Sequence, residues 1–232
     1  MPPKRLAHVQ ALRDTFTEAE SCAVVERWAT ETVCHLEGLA QQAVAQYASV
    51  QEAAYTCDAA KQTPADILSI LRSYQYLCQG VYRDAEVVRT VVAVRLPELK
   101  EEDNLGVGVQ HAILRMLDEV QNKTLGAGGT GEKSSGVKAQ TSVYALREYL
   151  EARGGVEEKL LGTPAEGSEK GKEGSKSPSV LLQLRQLDAD ALLKVELSAL
   201  QLVSSMRAFI NAYALNWRKL IEPRTGGDRM VS

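Results

Sequence analysis

The stretch PSVLLQLRQLDADALLKVELSALQLVSSMRAFINAYALNWRKLI, residues 178–221, decides the fold of this chain. After its first residue it contains neither glycine nor proline for more than forty residues, so it predicts one uninterrupted helix of ~60 Å. Proline is favoured at the first helical position, and Pro223 ends the pattern, which predicts a helix over about 178–222. Its apolar positions include Leu184, Leu187, Ala191, Val195, Leu202, Met206, Phe209, Tyr213, Trp217 and Leu220.

The first part of the chain predicts two more long helices. Residues 4–62 contain no proline and only Gly38, and an apolar stripe with alternating steps of three and four predicts one helix over this range. Thr63 and Pro64 then have the pattern of an N-cap followed by a first-turn proline. They predict the start of a second helix over about 64–96.

The segment VVRTVVAVRL, residues 87–96, is rich in the β-branched residues that favour strands. We interpret it as helical, because the apolar stripe of the second helix passes through it in phase and no partner strand is available. The second helix also carries more apolar residues than one core stripe needs, which predicts burial against a neighbouring subunit. The additional residues are Leu77, Val87, Val91 and Val94.

The stretch GAGGTGEKSS, residues 126–135, has part of the glycine spacing of a phosphate-binding loop. Glu132 stands where that loop requires lysine, and Lys133 is displaced by one position. A phosphate-binding loop also follows a strand and opens a helix, whereas a helical pattern precedes this stretch. We therefore predict a flexible insert over 126–140 that interrupts a third helix over about 105–161.

Together these patterns predict an all-α protein, an elongated four-helix bundle with no convincing strand. Residues 1–223 form a single domain in this interpretation. The polar, glycine-containing run over 162–177 is predicted to be a flexible linker, and residues 224–232 form a C-terminal tail.

No catalytic, metal or cofactor site emerges from the residue pattern, so we do not expect an enzyme. The four cysteines lack the C-x-x-C spacing of zinc sites. Gly106-Val107-Gly108 lacks the third glycine of a dinucleotide fingerprint, and predicts instead a helix entry where backbone approaches another surface closely. The three histidines lie on different predicted helices: His8, His35 and His111.

Composition excludes several classes of partner. Lysine and arginine total 27 against 30 acidic residues, without a long block of one sign, so no nucleic-acid or anionic-membrane surface is expected. The N-terminus lacks an apolar signal core, and no segment has the ~20 apolar residues of a membrane span. We expect a cytoplasmic protein, with the nucleus also open, that keeps its thiols reduced.

Two motifs carry a resemblance to a known family. The segment EEDNLGVGVQHAILRMLDE, residues 101–119, resembles the activation loop and following helix of the 11S (REG/PA28-type) proteasome activators. The segment NAYALNWRKLIEPRTG, residues 211–226, is similar to the closing segment of that family. The resemblance covers essentially the whole chain, and MPPKR, NLGV, YALREYL and the ending MVS are most similar to the trypanosomatid branch of the family.

The resemblance implies a homoheptameric ring of four-helix bundles that caps the 20S proteasome α-subunit ring without ATP. It implies that each C-terminal tail enters a pocket between α subunits, where the Ser232 carboxylate pairs with a lysine. The implied tail residues are Asp228, Arg229, Met230, Val231 and Ser232. The implied activation loop presses on the turn at the base of each α-subunit N-terminal tail and opens the gate. Its residues are Pro97, Glu101, Glu102, Asp103, Asn104 and Leu105.

This sequence departs from the family pattern in two places. Vertebrate members carry a long insert between the first two helices, whereas here that junction spans only residues 61–64. Val231 occupies the penultimate position at which ATP-dependent activators place a tyrosine. Composition alone leaves open an alternative, a helical scaffold or coiled-coil adaptor with no proteasome role.

Overall fold

The computed structural model describes residues 11, 14–97, 105–125, 144–161 and 178–223, and these residues contain helices, turns and short extended segments but no strand. The prediction of an all-α fold is confirmed. A π-helical turn, Trp28–Thr32, continues the first helix into the second, and a 3-10 helix, Cys57–Lys61, follows the second. The α-helices are α1 (Glu18–Arg27), α2 (Val33–Glu52), α3 (Ala65–Ala93), α4 (Leu105–Leu125), α5 (Ala145–Leu161) and α6 (Pro178–Ile221).

The long helix α6 is the element against which most of the others pack. It contacts α2, α3, α4 and α5. Helices α4 and α5 follow one another along it, since Gln110 of α4 bonds to Leu220 near its end and Tyr149 of α5 bonds to Asp188 near its start. With α1 and α2 counted as one rod and α4 and α5 as another, these two rods, α3 and α6 form a four-helix bundle.

The predicted continuous helix over 4–62 is wrong in two places. Thr17 is extended, with φ −83° and ψ 150°, and its hydroxyl accepts a hydrogen bond from the Glu20 N–H at 3.3 Å. The Glu20 carboxylate in turn accepts from the Thr17 N–H at 3.1 Å. This capping box satisfies two backbone donors and begins α1 at the next residue. At the other end, α2 stops at Glu52, where Ala53 becomes extended.

The segment after α2 leaves the helix because groups elsewhere in the fold bind it. The Arg153 guanidinium donates hydrogen bonds to the carbonyls of Ala59 at 2.9 Å and Gln62 at 3.2 Å. The Tyr55 hydroxyl donates to the Asp188 carboxylate at 2.7 Å. The two bonds from Arg153 satisfy backbone carbonyls that would otherwise need a helical partner, and the Tyr55 contact ties the segment to α6, so the chain can cross to α3.

The other predicted helix bounds agree more closely with the structure. The second predicted helix, 64–96, is α3, with Pro64 as its N-cap rather than its first residue. The fourth, 178–222, is α6 to within one residue. The third, 105–161, corresponds to α4 and α5. The insert over 126–140, the linker over 162–177 and the tail over 224–232 lie outside the described residues.

The fold of the protomer already buries part of the additional apolar set on the second helix. Val91 is fully buried inside the protomer, Leu77 is half-buried against the hydrophobic core, and Val94 is half-buried. Helix α3 contacts α1, α2, α4, α5 and α6, so it needs a wider apolar face than one stripe provides. Of the four residues assigned to a subunit contact, Val87 is the most exposed on the protomer surface, at 38%.

Candidate functional site

Three helix ends lie at one end of the bundle. We call this end the basal face and define it by Pro97, Leu105 and Pro223. Helix α3 leaves the bundle there, α4 enters it and α6 ends there. Contacts of Gln110 and Gly106 of α4 with the ends of α3 and α6 bring these helix ends together. The basal face therefore bears the starting points of both predicted functional segments, the activation loop and the C-terminal tail.

The end of α3 is tightened before it reaches Pro97. The N–H groups of Arg95 and Leu96 donate to carbonyls three residues earlier, at 3.1 Å each. Such short-range bonds satisfy carbonyls that lack a partner at a helix C-terminus. Pro97 cannot continue the helix, so the chain leaves α3 at a defined point.

Arg95 ties this end of α3 to the start of α1. Its guanidinium donates to its own helix at the Val91 carbonyl, 2.8 Å, and to the Phe16 carbonyl at 3.0 Å. It also lies 3.6 Å from the Glu18 carboxylate. Charge-assisted bonds of this kind are stronger than neutral ones, so the first rod and the end of α3 are held together at the basal face.

Gln110 lies at the centre of the basal face and is completely buried. Its amide N–H₂ group donates to the Leu220 carbonyl at 2.8 Å and to the Arg95 carbonyl at 3.3 Å. Both carbonyls belong to helix C-termini. The amide oxygen of Gln110 has no hydrogen-bond partner among the described residues.

Gly106, one turn before Gln110, touches the end of the described chain. A Cβ atom at Gly106 would lie 1.9 Å from the Pro223 carbonyl oxygen and 2.8 Å from its Cα, far inside contact distance. At Gly108, no atom of the described residues lies within 4 Å of the same position. The predicted close approach at the glycine pair is therefore confirmed at Gly106 and does not occur at Gly108.

The structure describes two of the predicted activation-loop residues and none of the tail residues. Pro97 is half-buried and Leu105 is 75% exposed, and they flank the loop at the basal face. Sequence reasoning missed Arg95 and Gln110, although Gln110 stands in the motif that carried the resemblance. The other predicted residues lie outside the described residues: Glu101, Glu102, Asp103, Asn104, Asp228, Arg229, Met230, Val231 and Ser232.

The opposite end of the bundle contains a buried ion pair between Arg153 and Asp188, which are 1% and 0% exposed. The Tyr55 and Tyr149 hydroxyls donate to the same carboxylate, at 2.7 and 2.9 Å. Burial, followed by the neighbouring carboxylate, raises the pKa of both tyrosines, which keeps them protonated donors. Glu157 accepts a further bond from Arg153 at 2.6 Å. Because each group has partners, we assign this cluster to stability.

Neither metal chemistry nor a membrane span is indicated in the described part of the chain. No group of three or more His, Cys, Asp or Glu side chains there is arranged to hold a metal ion. None of the helices there combines the length and apolar character needed to cross a bilayer.

Comparison with known proteins matches this architecture to proteasome activators. The family model described as Proteasome activator PA28, C-terminal, matches residues 60–153. No curated protein sequence matches significantly. Among solved structures, the activator in an archaeal 20S proteasome complex with mutated P26 is 49% identical, with TM-score 0.84, 99% of this chain covered and 100% of that chain covered.

Two further structures agree. In an archaeal 20S proteasome–PA26 complex, the matching chain is 50% identical over 99% of this chain and 100% of its own, with TM-score 0.84. In a complex of the yeast 20S proteasome with PA26 from Trypanosome brucei, the values are 41% identity, 97% and 100% coverage, and TM-score 0.75. With this identity over nearly its full length, the chain belongs to the family of 11S proteasome activators.

Proposed function

We propose that this protein is an ATP-independent activator of the 20S proteasome, which docks by its C-terminal tails and opens the α-ring gate through an activation loop. One observation carries the division of labour between the two segments. Contacts of α4 with the ends of α3 and α6 bring Pro97, Leu105 and Pro223 to the basal face, so the loop and the tail start from the same end of the bundle, which in this proposal meets the proteasome. The helical-scaffold alternative has no support from the comparisons.

The tail supplies binding in this proposal. Residues 224–232 reach at most ~30 Å when extended, enough to enter a pocket on a docked partner. Their assigned contacts are main-chain hydrogen bonds and an ion pair of the Ser232 carboxylate with a pocket lysine, made by residues 228–232. Since ordering a short peptide costs conformational entropy, one tail binds weakly, with Kd on the order of millimolar.

In a heptameric ring, several tails that each bind weakly together give stable docking. After the first tail binds, the others bind at high effective concentration, and avidity can exceed single-site affinity by ~10²-fold or more. An exposed apolar row on α6 supports contacts between copies of the chain, since its members recur at helical spacing. The row consists of Leu193, Leu197 and Leu200.

The loop supplies gate opening. Glu101, Glu102, Asp103 and Asn104 are assigned the contacts with the turns at the base of the α-subunit N-terminal tails. Pro97 and Leu105 anchor the two ends of that loop on the bundle. We place this activity in the cytoplasm, with the nucleus also possible, where Cys22, Cys34 and Cys78 stay free thiols.

The first experiment tests the anchoring role of the tail. Deleting Met230, Val231 and Ser232, or capping the Ser232 carboxylate as an amide, should abolish measurable 20S binding while the ring stays assembled. Pull-down of 20S proteasome measures binding, and sedimentation velocity measures assembly. Retained binding by the truncated ring would refute the anchoring role. The isolated tail peptide should not stimulate hydrolysis, because Val231 lacks a tyrosine hydroxyl.

The second experiment tests the loop at saturating activator. Substituting Glu102, Asp103 and Asn104 together by alanine should leave ring assembly and 20S binding nearly intact and remove stimulation of fluorogenic peptide hydrolysis without ATP. The wild-type ring is the positive control. Full stimulation by the triple variant would show that another surface opens the gate.

A further inference from the structure

We propose that Gln110 is a positioning residue that sets the activation loop at a fixed place relative to the origin of the C-terminal tail. This inference rests on the proposed function, and it assigns a role to a side chain outside both predicted functional segments. Three features of the basal face carry it: the carbonyls that Gln110 binds, its burial, and the contact at Gly106.

The two hydrogen bonds of Gln110 join helix ends that would otherwise be independent. Leu220 lies three residues before Pro223, and Arg95 lies two residues before Pro97. Carbonyls in the last turn of a helix lack intrahelical partners, so a side chain from a neighbouring helix can satisfy them. A single amide on α4 therefore bonds the end of α6 and the end of α3 at once.

The cost of burying the unpaired amide oxygen of Gln110 favours such a linking role over a contribution to stability. Its side chain is completely buried, and its amide oxygen has no partner among the described residues. An unsatisfied buried polar group lowers the stability of the fold. A methionine of similar volume would fill this space without that cost. The specific contribution of the amide is then the pair of bonds that it donates.

Gly106 reinforces the arrangement from the same face of α4. Residues four apart lie one above the other on a helix, so Gly106 and Gln110 present one surface to α6. The Pro223 backbone rests directly on Gly106, where even a methyl group would overlap it. The start of the tail is thus held at one residue of α4, one turn from the amide.

Loss of the Gln110 hydrogen bonds should affect proteasome binding and gate opening differently. A nine-residue tail tolerates a small shift of its origin, because the tail itself can adjust its path. The loop acts at a fixed distance from the docked ring, and a site that is loose by about 1 Å loses function even when its parts are present. Loss of Gln110 should therefore affect maximal stimulation more than affinity.

The test compares Gln110→Met, which removes both donated bonds at similar volume, with Gln121→Met as a matched control. Gln121 is a buried glutamine on the same helix that bonds to Arg89 and Glu86, away from the basal face. For Gln110→Met we expect ring assembly unchanged, half-maximal activator concentration within about threefold of wild type, and maximal peptide hydrolysis reduced about tenfold. Gln121→Met should leave both parameters near wild type.

A second variant, Gln110→Asn, keeps the amide but shortens its reach, and should show the same separation of affinity from maximal stimulation. Full maximal stimulation by Gln110→Met, or a parallel loss in both glutamine variants, would overturn the inference. Failure of both Gln110 variants to form rings would also overturn it, since Gln110 would then be a determinant of folding. A wild-type ring that neither binds nor stimulates 20S proteasome would instead refute the proposed function.

Discussion

Asp188 supplies the negative charge that balances Arg153 inside the bundle, and we expect Asp188→Asn to be strongly destabilising. The substitution keeps the size of the side chain but removes its charge. It leaves a guanidinium that is 1% exposed facing a neutral amide, and it alters the acceptor of two tyrosine hydroxyls. Glu157, at 2.6 Å, compensates part of the charge.

The size of the effect follows from the burial of the pair. Removing one partner of a buried ion pair costs about 3–5 kcal/mol, because an uncompensated charge remains inside. For a chain of 150–250 residues, each kcal/mol lowers Tm by about 2–4 °C. The expected loss for Asp188→Asn is therefore about 6–20 °C, with the lower part favoured by the remaining bond to Glu157.

Thermal unfolding followed by circular dichroism at fixed protein concentration measures this loss. Asp190→Asn is the matched control, since Asp190 is an exposed residue on the same helix. A decrease in Tm for Asp188→Asn no larger than that of Asp190→Asn would refute the argument. The double variant Arg153→Met/Asp188→Leu should be less destabilised than the sum of its single changes, because it leaves no fully buried charge and Glu157 is partly exposed to water.

Two further predictions concern the basal face and the core. Gly106→Ala should lower both 20S binding and stimulation, since its Cβ would overlap the Pro223 carbonyl, whereas Gly108→Ala has open space and should stabilise α4 by about 0.5–1 kcal/mol without loss of activity. Equal activity of the two alanine variants in the peptidase assay would contradict the contact. Burial raises the pKa of the Cys78 thiol from 9.0 to about 12, so its contribution to stability is complete below pH 9 and is lost as pH rises toward 12. Urea unfolding of Cys78→Ala should show a shallower decline of the free energy of unfolding above pH 9, by up to about 1.4 kcal/mol per pH unit, and parallel curves for the two proteins would contradict the shift.

Several features of this protein could be predicted from local patterns. The helix over 178–221 follows from the absence of breakers between Pro178 and Pro223, and the start of α3 follows to within one residue from Thr63 and Pro64. The close backbone approach near Gly106 also had a local signal, because only glycine leaves room there. In each case the deciding property belongs to one residue and its neighbours in sequence.

The sequence by itself therefore determined the helical class, the approximate bounds of three helical segments and the family, because breakers, caps and motifs act locally. Only the tertiary structure decided that the first predicted helix does not continue to residue 62, since the Ala59 and Gln62 carbonyls find their donor in Arg153, 94 positions from Ala59. It also decided that Val91 is buried inside the protomer, and that Gln110 bonds two helix ends across 110 and 15 positions. No local pattern encodes these contacts, because whether a polar or apolar group is satisfied depends on which distant groups the packed bundle brings to it.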